Sequence, residues 1–332
     1  MLSRSSAMEA ITNVALLGKG WLGSAILEQL LNSGFRVTVL SRTASPEEDP
    51  DTKFKTVQVD YSSIDSLVAA LKDQHAVVST IGTSGISAQK TVIDASIQAG
   101  VRRFIPSDFG ALTTRPGAES LPLNALWIEI QTYLKGKALA GEIEYTLFAV
   151  GPFLEFVMSM PFLADLQTQE VNLYDNGQHP FSSTSVSSVG RAVSGALMNA
   201  EATKNRLVTV HDIVLTQSKL LSLAKKYSGP ETKWIINPVS SVTELESTLE
   251  SVQNNGLNLF NTLALLKAAL LSGNYQTKFE KVDNELVKLP MMSESQFEEK
   301  FATGFKSMAA SMLEFQGKSD ELTEMPESRE GS

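Results

Sequence analysis

Cysteine is absent from all 332 residues. That excludes disulfides, thiolate chemistry and cysteine-based metal sites, and it suits a reducing compartment. Histidine is scarce: His75, His179 and His211 stand far apart, so no metal site is expected. Basic charge is in deficit, with 28 Lys and Arg against 37 Asp and Glu and a net charge of −9. Nothing there would offset the phosphate repulsion of a nucleic acid. Long apolar runs are missing too; the longest late stretch, FNTLALLKAALLSG, is broken by Lys267 and is too short to cross a bilayer. The opening residues MLSRSSAMEAIT have no apolar core of the secretory type. These absences predict a soluble, cytoplasmic chain with no nucleic-acid and no membrane partner, and they leave the oligomeric state open.

What remains is an ordinary globular balance, 42% apolar and 20% charged, in a chain long enough for one large α/β domain and a smaller companion. From residue 13 apolar runs and amphipathic stretches alternate. NVALL, FRVTVLSR, KTVQVDY (55–61), HAVVSTIG (75–82), VRRFIPSDFG (101–110) and IEYTLFAVGPF (143–153) read as strands. SAILEQLLNSG, SIDSLVAALKD and AQKTVIDASIQAG (88–100) read as helices between them. Strands separated by helices of this length predict a parallel sheet covered on both faces. After residue 153 the alternation stops. QEVNLYDNGQHPFSSTSV predicts a β-hairpin about Asn176-Gly177, and 242–316 reads as mostly helical. The predicted organisation is an α/β domain over 12–155, with later returns of the chain to it. A smaller, mixed but mainly helical domain follows over 156–316, and an acidic tail over 317–332.

Gly18-Lys19-Gly20-Trp21-Leu22-Gly23 follows the first strand and opens a helix. In that position Gly18 permits a tight turn, Gly20 lets backbone N–H groups approach a pyrophosphate, and Gly23 allows close helix packing. The second strand ends Leu40-Ser41-Arg42-Thr43, with no acid until Glu47. An acid there would hold a ribose 2′-hydroxyl, whereas Arg42 suits a 2′-phosphate and points to NADP(H); the alternative is a solvated surface charge. Asp60, ending the third strand, stands either to meet an adenine amino group or to cap the next helix. Thr80-Ile81-Gly82, ending the fourth, borders the same site. The expected cofactor-binding set is Gly18, Gly20, Trp21, Leu22, Gly23, Ser41, Arg42, Asp60, Thr80, Ile81 and Gly82.

Ile105-Pro106-Ser107-Asp108-Phe109-Gly110, within GVRRFIPSDFG, resembles the FIPSEFG signature of the isoflavone reductase-like and NmrA-like branch of atypical short-chain dehydrogenases. The glycine turn, Arg42, Gln89 before a helix ending AGVRRF, and EYTLFAVGPF agree with it, and Ser188-Val189-Gly190 stands where that family has Asp-Ile-Gly. The resemblance spans roughly residues 13–315 and is specific in the first half. It implies a Rossmann-type, doubly wound NADP(H) domain with a smaller C-terminal substrate domain. It further implies hydride transfer from NADPH to a small aromatic or polycyclic substrate. In the NmrA branch the dinucleotide is instead sensed without turnover, and a non-redox isomerase or cyclase on the same fold is a third reading.

Tyr133-x-x-x-Lys137 has the spacing of the tyrosine–lysine pair of conventional short-chain enzymes. Lys137, however, lies only eight residues before Tyr145, in a last turn weakened by Gly136, and reads as a helix end complementing the dipole. The family's lysine on this helix falls at Trp127, and NALWIEIQTY contains no lysine. Trp127 is expected either to stack on nicotinamide or substrate, or to serve as a core side chain. Phe109, Trp127 and Phe153 are the expected pocket residues. No catalytic residue is fixed: Asp108 stands as a candidate general acid if its loop is dry, or as a carboxylate bonding loop amides.

Overall fold

In the computed structural model, residues 10–43, 53–159, 163, 165 and 168–305 are described. The first half builds β1 (Asn13–Leu17), α1 (Trp21–Asn32), β2 (Arg36–Ser41), β3 (Lys55–Gln58), α2 (Ile64–Leu71), β4 (Ala76–Ser79), α3 (Gln89–Gln98), β5 (Arg103–Ile105), α4 (Ala125–Leu139) and β6 (Glu144–Ala149). Then follow α5 (Leu154–Ser159), β7 (Glu170–Tyr174), β8 (Phe181–Ser183), α6 (Val186–Met198), β9 (Arg206–Thr209), β10 (Ile213–Leu215), α7 (Gln217–Tyr227), β11 (Ile235–Val239), α8 (Ser241–Asn255) and α9 (Leu259–Leu271). Helix returns over 294–305, and 272–293 has no regular element. The expected tail and residues 306–316 lie outside the described residues.

Seven strands form one parallel sheet in the order β3-β2-β1-β4-β5-β6-β9. Strand residues point alternately to opposite faces, and β1 is apolar on both. Val14 and Leu16 join the cluster under α1 and α6, while Ala15 and Leu17 join the one under α2, α3 and α4. The order reverses on either side of β1, so a crevice opens at the carboxyl ends of β1 and β4, where doubly wound sheets bind ligands. Two helices away from that crevice have side-chain caps: Ser63 accepts from the Ser66 amide at α2, and Ser185 from the Ser188 amide at α6. At α1 the capping residue is Gly20, with no side-chain cap, so its first amides are left for a ligand.

The later chain returns to the sheet through β9, and α6 packs against α1. A Cβ at Gly190 would come within 2.7 Å of the Ala25 carbonyl oxygen, so the glycine permits this close crossing. A third apolar cluster, with Tyr174, Phe181, Leu220, Leu245, Leu265 and Phe297, gathers the second half. The expected hairpin is corrected here. Asn176 and Gly177 do adopt left-handed φ of 60° and 68°, but β7 pairs in parallel with β11 and β8 antiparallel with β10. The turn is real and its two flanking strands belong to different sheets.

Candidate functional site: a dinucleotide cleft at the sheet crossover

The crevice at the strand ends is a cleft of 620 Å³. The glycine turn contributes Gly18, Lys19 and Gly20; the end of β2 contributes Leu40, Ser41, Arg42 and Thr43; the end of β4 contributes Thr80, Ile81 and Gly82. Thr56 and Tyr61 line one end, Gly85 and Ala88 the other. The three glycines divide the work. Gly18 has φ +91°, a conformation that suits glycine. A Cβ on Gly23 would collide with the Gly18 carbonyl oxygen and lie 2.7 Å from Thr80 Oγ1. Gly20 has nothing within 4 Å of its Cβ position, so that space is open to a ligand. Thr80 staples the turn, its hydroxyl donating to the carbonyl oxygens of Leu17 and Gly18, each at 3.0 Å.

Arg42 is exposed, and among the described residues its side chain has no ion pair. Tyr61 donates to the Leu40 carbonyl oxygen at 3.1 Å. Burial pushes its phenol up to about 12, against the opposing charge of Arg42, so it stays a neutral donor. Lys19 was not singled out in the sequence, yet it lines the cleft with its ammonium 4.9 Å from the Phe54 ring centroid. Only its place inside the glycine turn hinted at this.

Other expected residues fall elsewhere. Asp60 does not line the cleft, and Ser63 rather than Asp60 caps α2. The Asp60 carboxylate accepts from the Ser62 hydroxyl (2.6 Å) and amide (2.9 Å), which hold its pKa below the usual range. Trp21 is 57% exposed and meets Phe153 edge-on at 5.5 Å, so the start of α1 and the loop after β6 share an aromatic pair. Leu22 packs against the core under α1. Phe109 is buried and stacked on Phe148 at 5.7 Å, a core position. Trp127 is half-buried; its indole N–H donates to the Ser107 carbonyl oxygen at 3.1 Å. The Ser107 hydroxyl in turn donates to the carbonyl oxygen of Ile81 at 2.8 Å, and Gln89 Oε1 accepts from the Ser107 amide at 2.7 Å. Trp127 thus sits one hydrogen-bonded residue away from the cleft wall.

Asp108 is buried, and burial pushes its carboxyl up against several hydrogen bonds. Thr113 donates to one oxygen at 2.6 Å and Gln131 to the other at 2.7 Å. Both oxygens are engaged in tying the loop after β5 to α4. Tyr133 and Lys137 lie away from the cleft lining. The tyrosine hydroxyl donates to Asp94 at 2.6 Å, and Lys137 pairs with Glu142 at 3.1 Å. The Asp94 hydrogen bond raises the tyrosine pKa, the reverse of what a proton-delivering pair needs. Lys137→Ala and Tyr133→Phe are each expected to leave NADPH affinity and any turnover within about threefold of the parent, whereas loss of a general acid costs on the order of 10²-fold. A hundredfold loss in turnover for either variant would restore the pair to the active site.

A parallel sheet with a glycine turn, an uncapped helix start and an open cleft at its crossover defines a dinucleotide-binding protein of the Rossmann type. The NAD(P)H-binding family matches residues 18–200, more than half of the chain. Oxidoreductase aprR of Aspergillus flavus is 31% identical over 77% of this chain and 86% of its own length. Among solved structures, isoflavone reductase superposes with a TM-score of 0.71 at 21% identity, over 88% of this chain and 99% of that one. The leucoanthocyanidin reductase–NADPH complex of Vitis vinifera gives 0.70 at 18% identity with the same coverage. The chain belongs to the NAD(P)H-binding family, and its fold is that of isoflavone reductase. No helix among the described residues is long and apolar enough to cross a membrane.

Proposed function

We propose that this chain is an NADPH-dependent reductase acting on a small aromatic or polycyclic substrate. The observation that carries the reading is the open space over Gly20, in a cleft that Arg42 also lines. The residues fit the cofactor. Backbone amides at the start of α1 face the position of a pyrophosphate, Arg42 and Lys19 supply positive charge for a 2′-phosphate, and Thr80–Gly82 border the strand ends leading toward β5. When bound, NADPH would supply the hydride. The chain's own part is to hold the dinucleotide extended along the strand ends and to exclude water on the substrate side, where Trp21 and Phe153 pair. The vitis reductase structure with NADPH and the pinoresinol reductase structure with NADP+ and pinoresinol support this class of cofactor and substrate.

The test is cofactor choice. NADPH should bind about tenfold or more tightly than NADH, and Arg42→Ala should remove most of that difference. Equal affinities in the parent chain would overturn the assignment. A second reading, a dinucleotide sensor without turnover, is favoured by one specific set of observations. Trp127 donates its indole N–H to the Ser107 carbonyl oxygen, Asp108 has both oxygens engaged, and Tyr133 is bonded to Asp94, so none of these three is a free proton donor.

A further inference from the structure

Beyond β4, where the cleft lining ends, a second cluster gathers at the same edge of the sheet. Arg115 comes from the loop after β5, and His211 follows β9 by two residues. Phe279, from the stretch after α9, lies with them. The Arg115 guanidinium carbon is 4.5 Å from the Phe279 ring centroid. The His211 ring is parallel to Phe279 within 9°, at 6.3 Å. His211 is anchored in turn. Its Nδ1 is 2.7 Å from Ser182 Oγ, which already accepts the Phe279 amide at 2.9 Å, and its backbone N–H and C=O are both held by the Asn284 side chain. Phe279 and His211 therefore form a fixed aromatic floor.

The guanidinium above that floor is underused. It carries five N–H donors, and among the described residues its one hydrogen bond is from Nη2 to Thr114 Oγ1, a long 3.3 Å. Nε is buried with no partner among those residues. Among the described residues no carboxylate pairs with it, and burial is the sole cause that lowers its pKa, with no acidic neighbour opposing. A half-buried cation left in this state is costly unless an anion completes it. A guanidinium stacked on an aromatic ring is fixed in plane and keeps its edge N–H groups for a bidentate oxyanion.

We propose that Arg115, held over the Phe279 ring, receives a carboxylate of the substrate, so that the substrate class is a small aromatic acid. The proposal rests on the reductase reading, because it takes the carboxyl ends of β5, β6 and β9 as the substrate side of the cofactor. Contact with β6 is close: a Cβ on Gly151, just past that strand, would collide with the carbonyl oxygen of Ser182.

The experiment is calorimetric titration of the full chain with trans-cinnamate and with methyl cinnamate, in the presence and absence of NADPH. The parent chain should bind the acid about tenfold or more tightly than the ester. In Arg115→Met the two should bind alike, with NADPH affinity unchanged, and Arg115→Lys should recover part of the preference. Equal binding of acid and ester by the parent overturns the proposal. So does no detectable binding of cinnamate to a chain that binds NADPH, or a preference that survives in Arg115→Met. The acid–ester comparison needs no variant and stands if Arg115→Met folds poorly. A chain that prefers the acid but does not bind NADPH overturns the cofactor reading and leaves the role of Arg115 intact.

Discussion

A Gly20→Val chain is expected to melt like the parent and to lose NADPH affinity by about 100-fold or more, roughly 2.7 kcal/mol. The two halves of that expectation come from the same observation. No atom lies within 4 Å of the place a Cβ would take, so a branched side chain enters open space and displaces nothing in the protein. Gly20 also has φ of −77°, which any residue adopts without strain. The space is open because the start of α1 faces the cleft there, and the isopropyl group would stand where a pyrophosphate approaches the uncapped amides. Gly23→Ala is the useful contrast. Its methyl group would collide with the Gly18 carbonyl oxygen and press on Thr80 Oγ1, so that variant should lose stability as well as binding. Fluorescence titration with NADPH, beside thermal melting followed by circular dichroism, separates the two. Parent-like affinity in a folded Gly20→Val chain would place the dinucleotide somewhere else.

The parts of this site that were legible in the sequence are those set by local chemistry. β1 is apolar on both faces because it is central, and the glycine spacing after it reports a turn whose backbone must stay bare. Arg42 was legible because the residue just past β2 can face the cleft whatever the rest of the fold does. The surroundings of Phe109 were not: only the arrival of Phe148 from β6, thirty-nine positions on, buries it in a stacked pair. The hairpin expectation failed for a similar reason. Local turn chemistry at Asn176-Gly177 is what a hairpin requires, but pairing was decided by β11, some sixty residues later, whose Pro238 speaks against a strand. Arg115 gave no signal in sequence, since its lack of a partner is a fact about what surrounds it. Asp108 was legible as either an acid or an anchor, and only the fold brings Thr113 and Gln131 to it, each donating to one oxygen.

Replacing Glu144 with leucine is expected to cost about 3 kcal/mol or more, the usual result of stranding one partner of a buried ion pair. The stranded partner is Arg103, whose side chain is fully buried on β5. Its guanidinium binds Glu144 at 2.8 Å, the Thr146 and Thr203 hydroxyls at 3.0 and 3.3 Å, and the Ala200 carbonyl oxygen at 2.7 Å. One side chain thus joins β5, β6 and the turn leading into β9, the strand by which the later chain returns to the sheet. Lys204 reaches the second oxygen of Glu144 at 2.6 Å. A melting temperature lower by roughly 6 °C or more follows from that loss. Changing both residues, as Glu144→Leu with Arg103→Met, removes the uncompensated charge and should recover much of it. Acid provides a further check. Burial pushes the Glu144 carboxyl up, but the hydrogen bonds from Lys204 and Arg103 outweigh it and hold the pKa below the usual value. A carboxylate lowered in the folded state stabilises fully above its unfolded pKa of about 4.3 and loses that contribution as pH falls through the folded one. The gap in melting temperature between parent and Glu144→Leu should therefore be wide at neutral pH and narrow below about pH 4. A variant that melts with the parent at pH 7 would mean that Arg103 is held by its neutral partners alone.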